Sequence, residues 1–468
     1  WNDFGPRLGL AYSPNFSNGI LHKLFGDSGK SSIRAGYGLY YTNIEGANTF
    51  NFAAAPYSLF YFSSAPPLFA TPFITRASGQ NLGQRFPIPP VTSSSNIDWS
   101  QFLPFGGNRA PLIDSPTPYA EHVNFSIQRQ LESSTLLTLA YVGTFGHHLI
   151  LNADNNPGDP ALCLSVSQPS QVMPGTPTCG PFGEDQNYYP ATGGVIQHTR
   201  PLWGPNYAGN GYQLDAGNSD FHAFELSLRR TGGRAQFLLA YTFSKAMDNG
   251  SGFGDLILIN RNPHLFEALS EFDITHNFSF SYTYELPFDK LFGKNNRATR
   301  GWRVSGVTSF ATGVPVQIAE VDDRSLVGST GNSPQYGSTD EPNYTPGTIL
   351  FNTDPRRQYI DSNGVLQNPY FKTSLFSQEP LGGQGTANRR FFHGPGMNNW
   401  NFALLKDLKL TEAKRLEFRG EFFNIFNHAQ FYGSNSVDGN FNDGPSSFGG
   451  VFSAAAPRIG QLAVKLMF

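Results

Sequence analysis

The sequence runs to 468 residues with a formal charge of -3, and only 14% of its residues are charged, against ~25% in ordinary soluble domains. That balance leaves no nucleic-acid footprint. The 42 Phe, 20 Tyr, 50 Gly and 34 Pro favour many strands, turns and long irregular loops over helices.

No run approaches the ~18 apolar residues of a membrane-spanning helix. A chain of this composition therefore crosses a membrane only as a closed β-barrel, because only helices and barrels satisfy the backbone in lipid. The first residues, Trp1 to Arg7, have neither a basic n-region nor an apolar h-region. The expectation is an exported chain whose signal peptide and N-terminal part lie upstream of Trp1.

From there the chain alternates with period 2. Val123, Phe125 and Ile127 oppose Asn124, Ser126 and Gln128, and Phe224, Leu226 and Leu228 oppose Glu225, Ser227 and Arg229. Phe278, Phe280, Tyr282, Tyr284 and Leu286 oppose Asn277, Ser279, Ser281, Thr283 and Glu285. Leu416, Phe418 and Phe422 oppose Glu417, Arg419 and Glu421, and Leu462, Val464, Leu466 and Phe468 share the final apolar face. One apolar and one polar face is the pattern of a barrel between lipid and a wet lumen.

The pattern predicts about eleven strands, over 4–13, 31–42, 119–131, 135–145, 222–231, 235–246, 274–286, 302–312, 398–409, 414–426 and 458–468. Short links (14–30, 132–134, 232–234, 287–301, 410–413) alternate with long ones (43–118, 147–221, 247–273, 313–397, 427–457). A sandwich or propeller has no reason to sort its loops by parity, whereas a barrel has short periplasmic turns and longer extracellular loops. The longest loops should hold extra hairpins, with Tyr57–Phe62 and Thr348–Phe351 as candidates.

Candidate sites are few. Cys163 and Cys179 sit in a Pro/Ser/Gly-rich stretch and are compatible with one disulfide or with two unpaired loop thiols. Gly29-Lys30-Ser31 lacks the first glycine of a phosphate loop and precedes a strand, so it reads as a turn. Adjacent His147 and His148 point opposite ways on a strand and read as solvated. Asp248 to Asp255 has the oxygen donors for Ca²⁺ without a regular ligand pattern, and reads as a mobile turn.

No nucleophile or metalloprotease motif appears, so no catalytic residue, cofactor or metal site is expected. Glu225, Arg229, Glu285, Glu417, Arg419 and Glu421 alternate with the apolar face and should face the lumen, with ion-pair ladders among them. Tyr40, Tyr41, Tyr141, Phe243, Tyr284 and Trp302 suit interfacial aromatic girdles.

Several phrases resemble TonB-dependent outer-membrane receptors. They are Phe4-Gly-Pro-Arg-Leu-Gly-Leu-Ala-Tyr12, Ile127-Gln-Arg-Gln-Leu131 with Ala140-Tyr-Val-Gly143, and Ala240-Tyr-Thr-Phe-Ser-Lys-Ala-Met-Asp248. His276-Asn-Phe-Ser-Phe280, Tyr284-Glu-Leu-Pro-Phe288, Gly301-Trp-Arg-Val-Ser-Gly306 and Arg419-Gly-Glu-Phe-Phe-Asn-Ile-Phe-Asn427 continue the series. Together they are similar to the large Oar-like branch.

The resemblance implies a receptor with about twenty-two strands around a plug. This chain would then be the C-terminal part of an antiparallel transmembrane β-barrel, with plug and TonB box upstream. It also implies outer-membrane lipid, the TonB complex, the barrel assembly machinery (reading the strand that ends on Phe468) and an extracellular ligand as partners. A TonB-independent porin and a secreted glycan-binding sandwich or propeller are the alternatives.

Overall fold

The computed structural model describes residues 3–42, 109–111, 116–154, 156–166, 211–252, 256–258, 266–293, 296–320, 324–327, 340–349, 354–434 and 436–468. Eleven wall strands follow one another in a single antiparallel sheet. They are β1 (Arg7–Tyr12), β2 (Ser31–Tyr41), β3 (Tyr119–Glu132), β4 (Thr135–Asp154), β5 (Gly211–Arg230), β6 (Ala235–Asp248), β7 (His276–Glu285), β8 (Trp302–Ala311), β9 (Met397–Lys409), β10 (Arg415–Phe423) and β11 (Ile459–Met467). Each pairs with its sequence neighbours, and β1 and β11 are the edges of an open sheet, as expected of part of a larger barrel. Three short strands, Arg109–Pro111, Leu256–Leu258 and Ala268–Leu269, join the same sheet from the long connections.

Two strands are longer than their alternation suggests. β4 continues to Asp154 and β5 begins at Gly211, so the predicted connection 147–221 shrinks to 155–210. The register slips between Gly146 and Leu149 and again before Leu151, and His148 turns to φ 56. Such bulges break the period-2 pattern while the ladder goes on.

The composition points away from helices, yet among the described residues three short α-helices occur: α1 (Gly19–Phe25), α2 (Pro160–Val166) and α3 (Phe288–Leu291). Residues 348 and 349 are irregular, and the rest of the Thr348–Phe351 candidate, like Tyr57–Phe62, lies outside the described residues. The hairpins found instead pair Asn343–Tyr344 with Phe376–Ser377 and Tyr359–Ile360 with Leu366–Gln367.

Because directly opposed residues share a face, the registers trace each face across the wall. One face runs from Leu10 and Ile33 through Phe125, Tyr141 and Phe224, and on through Tyr241, Phe278 and Phe310 to Phe402, Phe418 and Val464. Phe125 and Phe224 are each 44% exposed. A continuous apolar face of this extent left open is a membrane-contact surface. Rings on it pack across strands, Phe237 tilted against Phe280 at 5.9 Å and Phe310 edge-to-face with Trp400 at 5.6 Å.

A small buried cluster joins Leu151 of β4 to Phe266 and Val327, and a larger one lies outside the wall. Val316, Ile318, Tyr370, Phe371, Leu375, Phe376, Phe392, Val437 and Phe448 form one cluster. These residues come from the connections 312–396 and 424–458, which meet where Ala319 N donates to Gly439 O and Phe441 N donates to Ala319 O. The two connections thus co-fold into a cap. Phe371, with no exposed surface, sits at its centre against Phe376, Phe392 and Phe448.

Candidate functional site

The opposite face of the wall carries the charges. Every residue predicted to face the lumen (Glu225, Arg229, Glu285, Glu417, Arg419 and Glu421) has the parity opposite to the aromatic face. A few apolar residues, such as Leu136, Leu238 and Val307, share that inner face.

Three of the six predicted charges enter one network near the short-turn end. Arg419 lies 3.5 Å from Glu417 and 3.1 Å from Glu421. Arg303 Nη2 donates to both Asp407 and Glu417 at 2.8 Å. Gln461 extends the chain to β11 by donating to Glu421 at 2.5 Å. The ladder therefore crosses β8, β9, β10 and β11.

Arg303 and Asp407 were not singled out from the sequence, although each alternates with apolar neighbours (Trp302 and Val304; Leu408). Glu285 is the register partner of Arg303. Among the described residues no ion pair links Glu285, Glu225 or Arg229 to the ladder.

Five of the six proposed girdle aromatics lie on the apolar face. The exception is Tyr40, which pairs with Ala120 on the inner face and lies under the Arg7 guanidinium at 4.5 Å. The expectation failed because Tyr40 and Tyr41 are adjacent, and adjacent strand residues point to opposite faces.

At the long-loop end the cap is fastened to the wall by Arg389, Arg390 and His393. Arg389 is buried, donates to the carbonyls of Phe266 and Asp248, and pairs with the Asp248 carboxylate. Arg390 donates to Leu269 O, Gln317 Oε1 and Ser251 Oγ. His393 Nε2 lies 2.7 Å from Asp273, a carboxylate that is 1% exposed and also accepts from Ala246 N.

The reading of 248–255 as a mobile or Ca²⁺-binding turn is corrected at its first residue. Asp248 is a buried strand terminus whose oxygens are taken by Arg389 of the cap and by Ser251; Asp255 lies outside the described residues. Only the three-dimensional contact with Arg389, 141 positions away, reveals this.

Beside these anchors a half-open cavity of about 770 Å³ lies between the cap and the 249–275 connection, bordered by Glu271, Phe272, Arg390, Tyr432, Asp438 and Phe452. Asp443 lies on its wall. Burial first, and then the neighbouring Asp438 carboxylate, raise its pKa above the ordinary value, while the Asn440 amide opposes them. Its lining is mixed, with Phe272, Val316, Val437 and Phe452 beside Gln317, Arg390, Asp438 and Asn440.

Gly29 takes φ 80 and Lys30 leads into β2, so that segment is a turn. His147 and His148 pack at 5.0 and 5.7 Å from the Tyr119 ring. Cys163 falls on α2, and Cys179 lies outside the described residues. Among the described residues no three His, Cys, Asp or Glu side chains are grouped to hold a metal.

A family model described as an outer membrane beta barrel domain matches residues 1–461. No curated protein matches the sequence. Solved structures that it resembles include the siderophore receptor PirA from Acinetobacter baumannii, at 10% identity and TM-score 0.42, covering 99% of this chain and 40% of that one. The outer membrane transporter YddB from Escherichia coli matches at 11% identity and TM-score 0.39, over 94% of this chain and 38% of that one. The ferric-catecholate import receptor Fiu from E. coli K12 matches at 11% identity and TM-score 0.37, over 98% and 34%. The chain thus spans two fifths or less of the length of each.

Proposed function

Because the chain belongs to the outer membrane beta barrel domain family, we propose that it forms part of the wall and ligand-capturing cap of a TonB-dependent receptor of the Oar-like branch. The observation that carries this reading is the pairing of an ion-laddered inner face with a folded, cavity-bearing cap at the long-loop end. A simple diffusion pore has no use for a packed cap held by buried arginines.

In this reading extracellular ligand is captured at the cap and passes along the inner face once a plug, supplied by another part of the protein, is displaced through TonB. The energy comes from the inner membrane, and we assign no bond-making chemistry to this chain. The chain would be the C-terminal part of the barrel, with its edges β1 and β11 closed by further strands of the same protein. The exposed row Leu462, Val464, Leu466 and Phe468 on β11 supports recognition by the barrel assembly machinery. Replacing Phe468 with Asp in the full-length protein then lowers its outer-membrane level sharply; an unchanged level removes that role.

The rival reading is an ungated porin. Planar-bilayer recording of the purified full-length protein separates the two. A plugged receptor stays silent, whereas spontaneous stepwise conductance of most reconstituted molecules would establish the porin.

A further inference from the structure

We propose that the short-turn end of the wall is a docking collar for anionic phospholipid headgroups of the leaflet it meets. This rests on the outer-membrane placement of the chain and not on the transport reading.

The first observation is charge. The five short connections (13–30, 133–134, 231–234, 286–301 and 410–414) hold eight Lys and Arg against three Asp and Glu, a net of +5. The five long connections (42–118, 155–210, 249–275, 312–396 and 424–458) hold twelve against twenty, a net of -8. The two sets of connections therefore differ in the sign of their charge, and in the short set cations outnumber anions. Arg129, Arg230 and Lys406 add to the short-turn rim on the apolar face itself, as the register partners of Ser31, Thr135 and Trp302.

The second observation is exposed apolar surface at the same rim. In and beside α3, Leu291 is 70% and Phe292 61% exposed, and Phe292 packs tilted against Phe288, which meets Trp302 edge-to-face. Trp302 belongs to the lipid-facing row, so this cluster continues the membrane face past the end of β8. At α1, Ile20, Leu21 and Leu24 are likewise exposed, beside His22 and Lys23. Apolar side chains mixed with cations at a bilayer edge are the arrangement of an interfacial segment.

The third observation fixes the cations in place. Lys406 Nζ lies 5.2 Å from the Trp302 ring centre and donates to the carbonyls of Arg297, Ala298 and Arg300. Trp302 Nε1 donates to Ala298 O at 2.7 Å. The 296–301 backbone is thereby pinned to the wall, and the exposed Arg297 and Arg300 side chains are held at headgroup level. Among the described residues neither guanidinium is in an ion pair. Toward the long-loop end the described lipid-side edge holds side-chain pairs instead, Tyr141 with His222 at 2.8 Å and Tyr241 with His276 at 2.9 Å.

The test is native mass spectrometry of the full-length protein purified in detergent and supplied with equal phosphatidylglycerol and phosphatidylcholine. The expected result is preferential retention of phosphatidylglycerol, weakening as ionic strength rises. Lys290→Gln/Arg297→Gln/Arg300→Gln lowers the preference by on the order of fivefold per cation removed. Arg356→Gln/Arg357→Gln, on the cap, leaves it unchanged. Equal retention of the two lipids by the wild type, or a preference untouched by the triple variant, overturns the proposal. Should the triple variant lose heat-modifiable migration, Arg297→Gln alone decides by the same two outcomes.

Discussion

The two ends of this wall solve different problems with the same strands. At the short-turn end the connections are the shorter set, carry cations and exposed rings, and build no hydrophobic cluster among the described residues. At the long-loop end, connections from distant parts of the chain bury Phe371, Ile318 and Val316 together and lock onto the strands through Arg389 and Asp248. The wall between them has no hydrophobic core, because its apolar face is complementary to lipid. Stability in the cap is thus that of a small globular unit, and stability in the wall is that of a membrane protein. Substitutions should separate the two.

The largest separation is expected at the buried cap anchors. Arg389→Leu leaves Asp248 buried without its partner, a change of about 3–5 kcal/mol. Limited proteolysis should then cut within 312–396 while the wall keeps its heat-modifiable migration on gels. Phe371→Ala should do the same by opening a cavity, at a cost of about 3–5 kcal/mol. If either substitution abolishes migration and proteolytic resistance of the wall together, cap and wall are one cooperative unit.

In the wall the contrast is between neighbours. Phe280→Arg places a charge on the lipid face at about 2–4 kcal/mol, and should reduce the folded fraction in membranes. Ser281→Arg, one residue away, faces the inner side and should be tolerated. Equal loss for both would remove the two-faced wall.

A smaller effect concerns pH. Burial pushes the Tyr370 phenol up to about 12 from 10.0. Between those values the unfolded state has lost the proton and the folded state keeps it, so cap stability falls as pH rises from about 10 to 12. Protease resistance of the cap should drop over that window, and Tyr370→Phe should abolish this part of the drop. The smallest effect is expected from Arg356→Gln, whose pair with Asp354 is exposed on the cap surface. That substitution should leave the protease resistance of the cap unchanged, since an exposed pair contributes little.

The wall was largely legible because alternation is a local signal. All eleven strands and the shared face of Glu417, Arg419 and Glu421 follow from period 2 alone. The same rule would have found Arg303 and Asp407, had strands 302–312 and 398–409 been read for charges as well as rings. The ends of β4 and β5 were missed where bulges reset the parity around His148 and Leu149. The cap was invisible for a different reason. Phe371, Phe376, Phe392 and Phe448 are scattered through Gly- and Pro-rich sequence without period, and they meet only through contacts between separate connections. Asp248 looked like a solvated turn for want of its partner, which lies far along the chain.

The most direct test of the account is spin labelling of positions 278–285, one at a time, in the full-length protein in outer membranes. Accessibility to oxygen and to a water-soluble nickel chelate is read at each site. The account predicts that 278, 280, 282 and 284 favour oxygen in lipid and that 279, 281, 283 and 285 favour nickel or are shielded from both. Oxygen preference without alternation, or nickel access at all eight positions, would contradict a wall that faces lipid on one side and the lumen on the other.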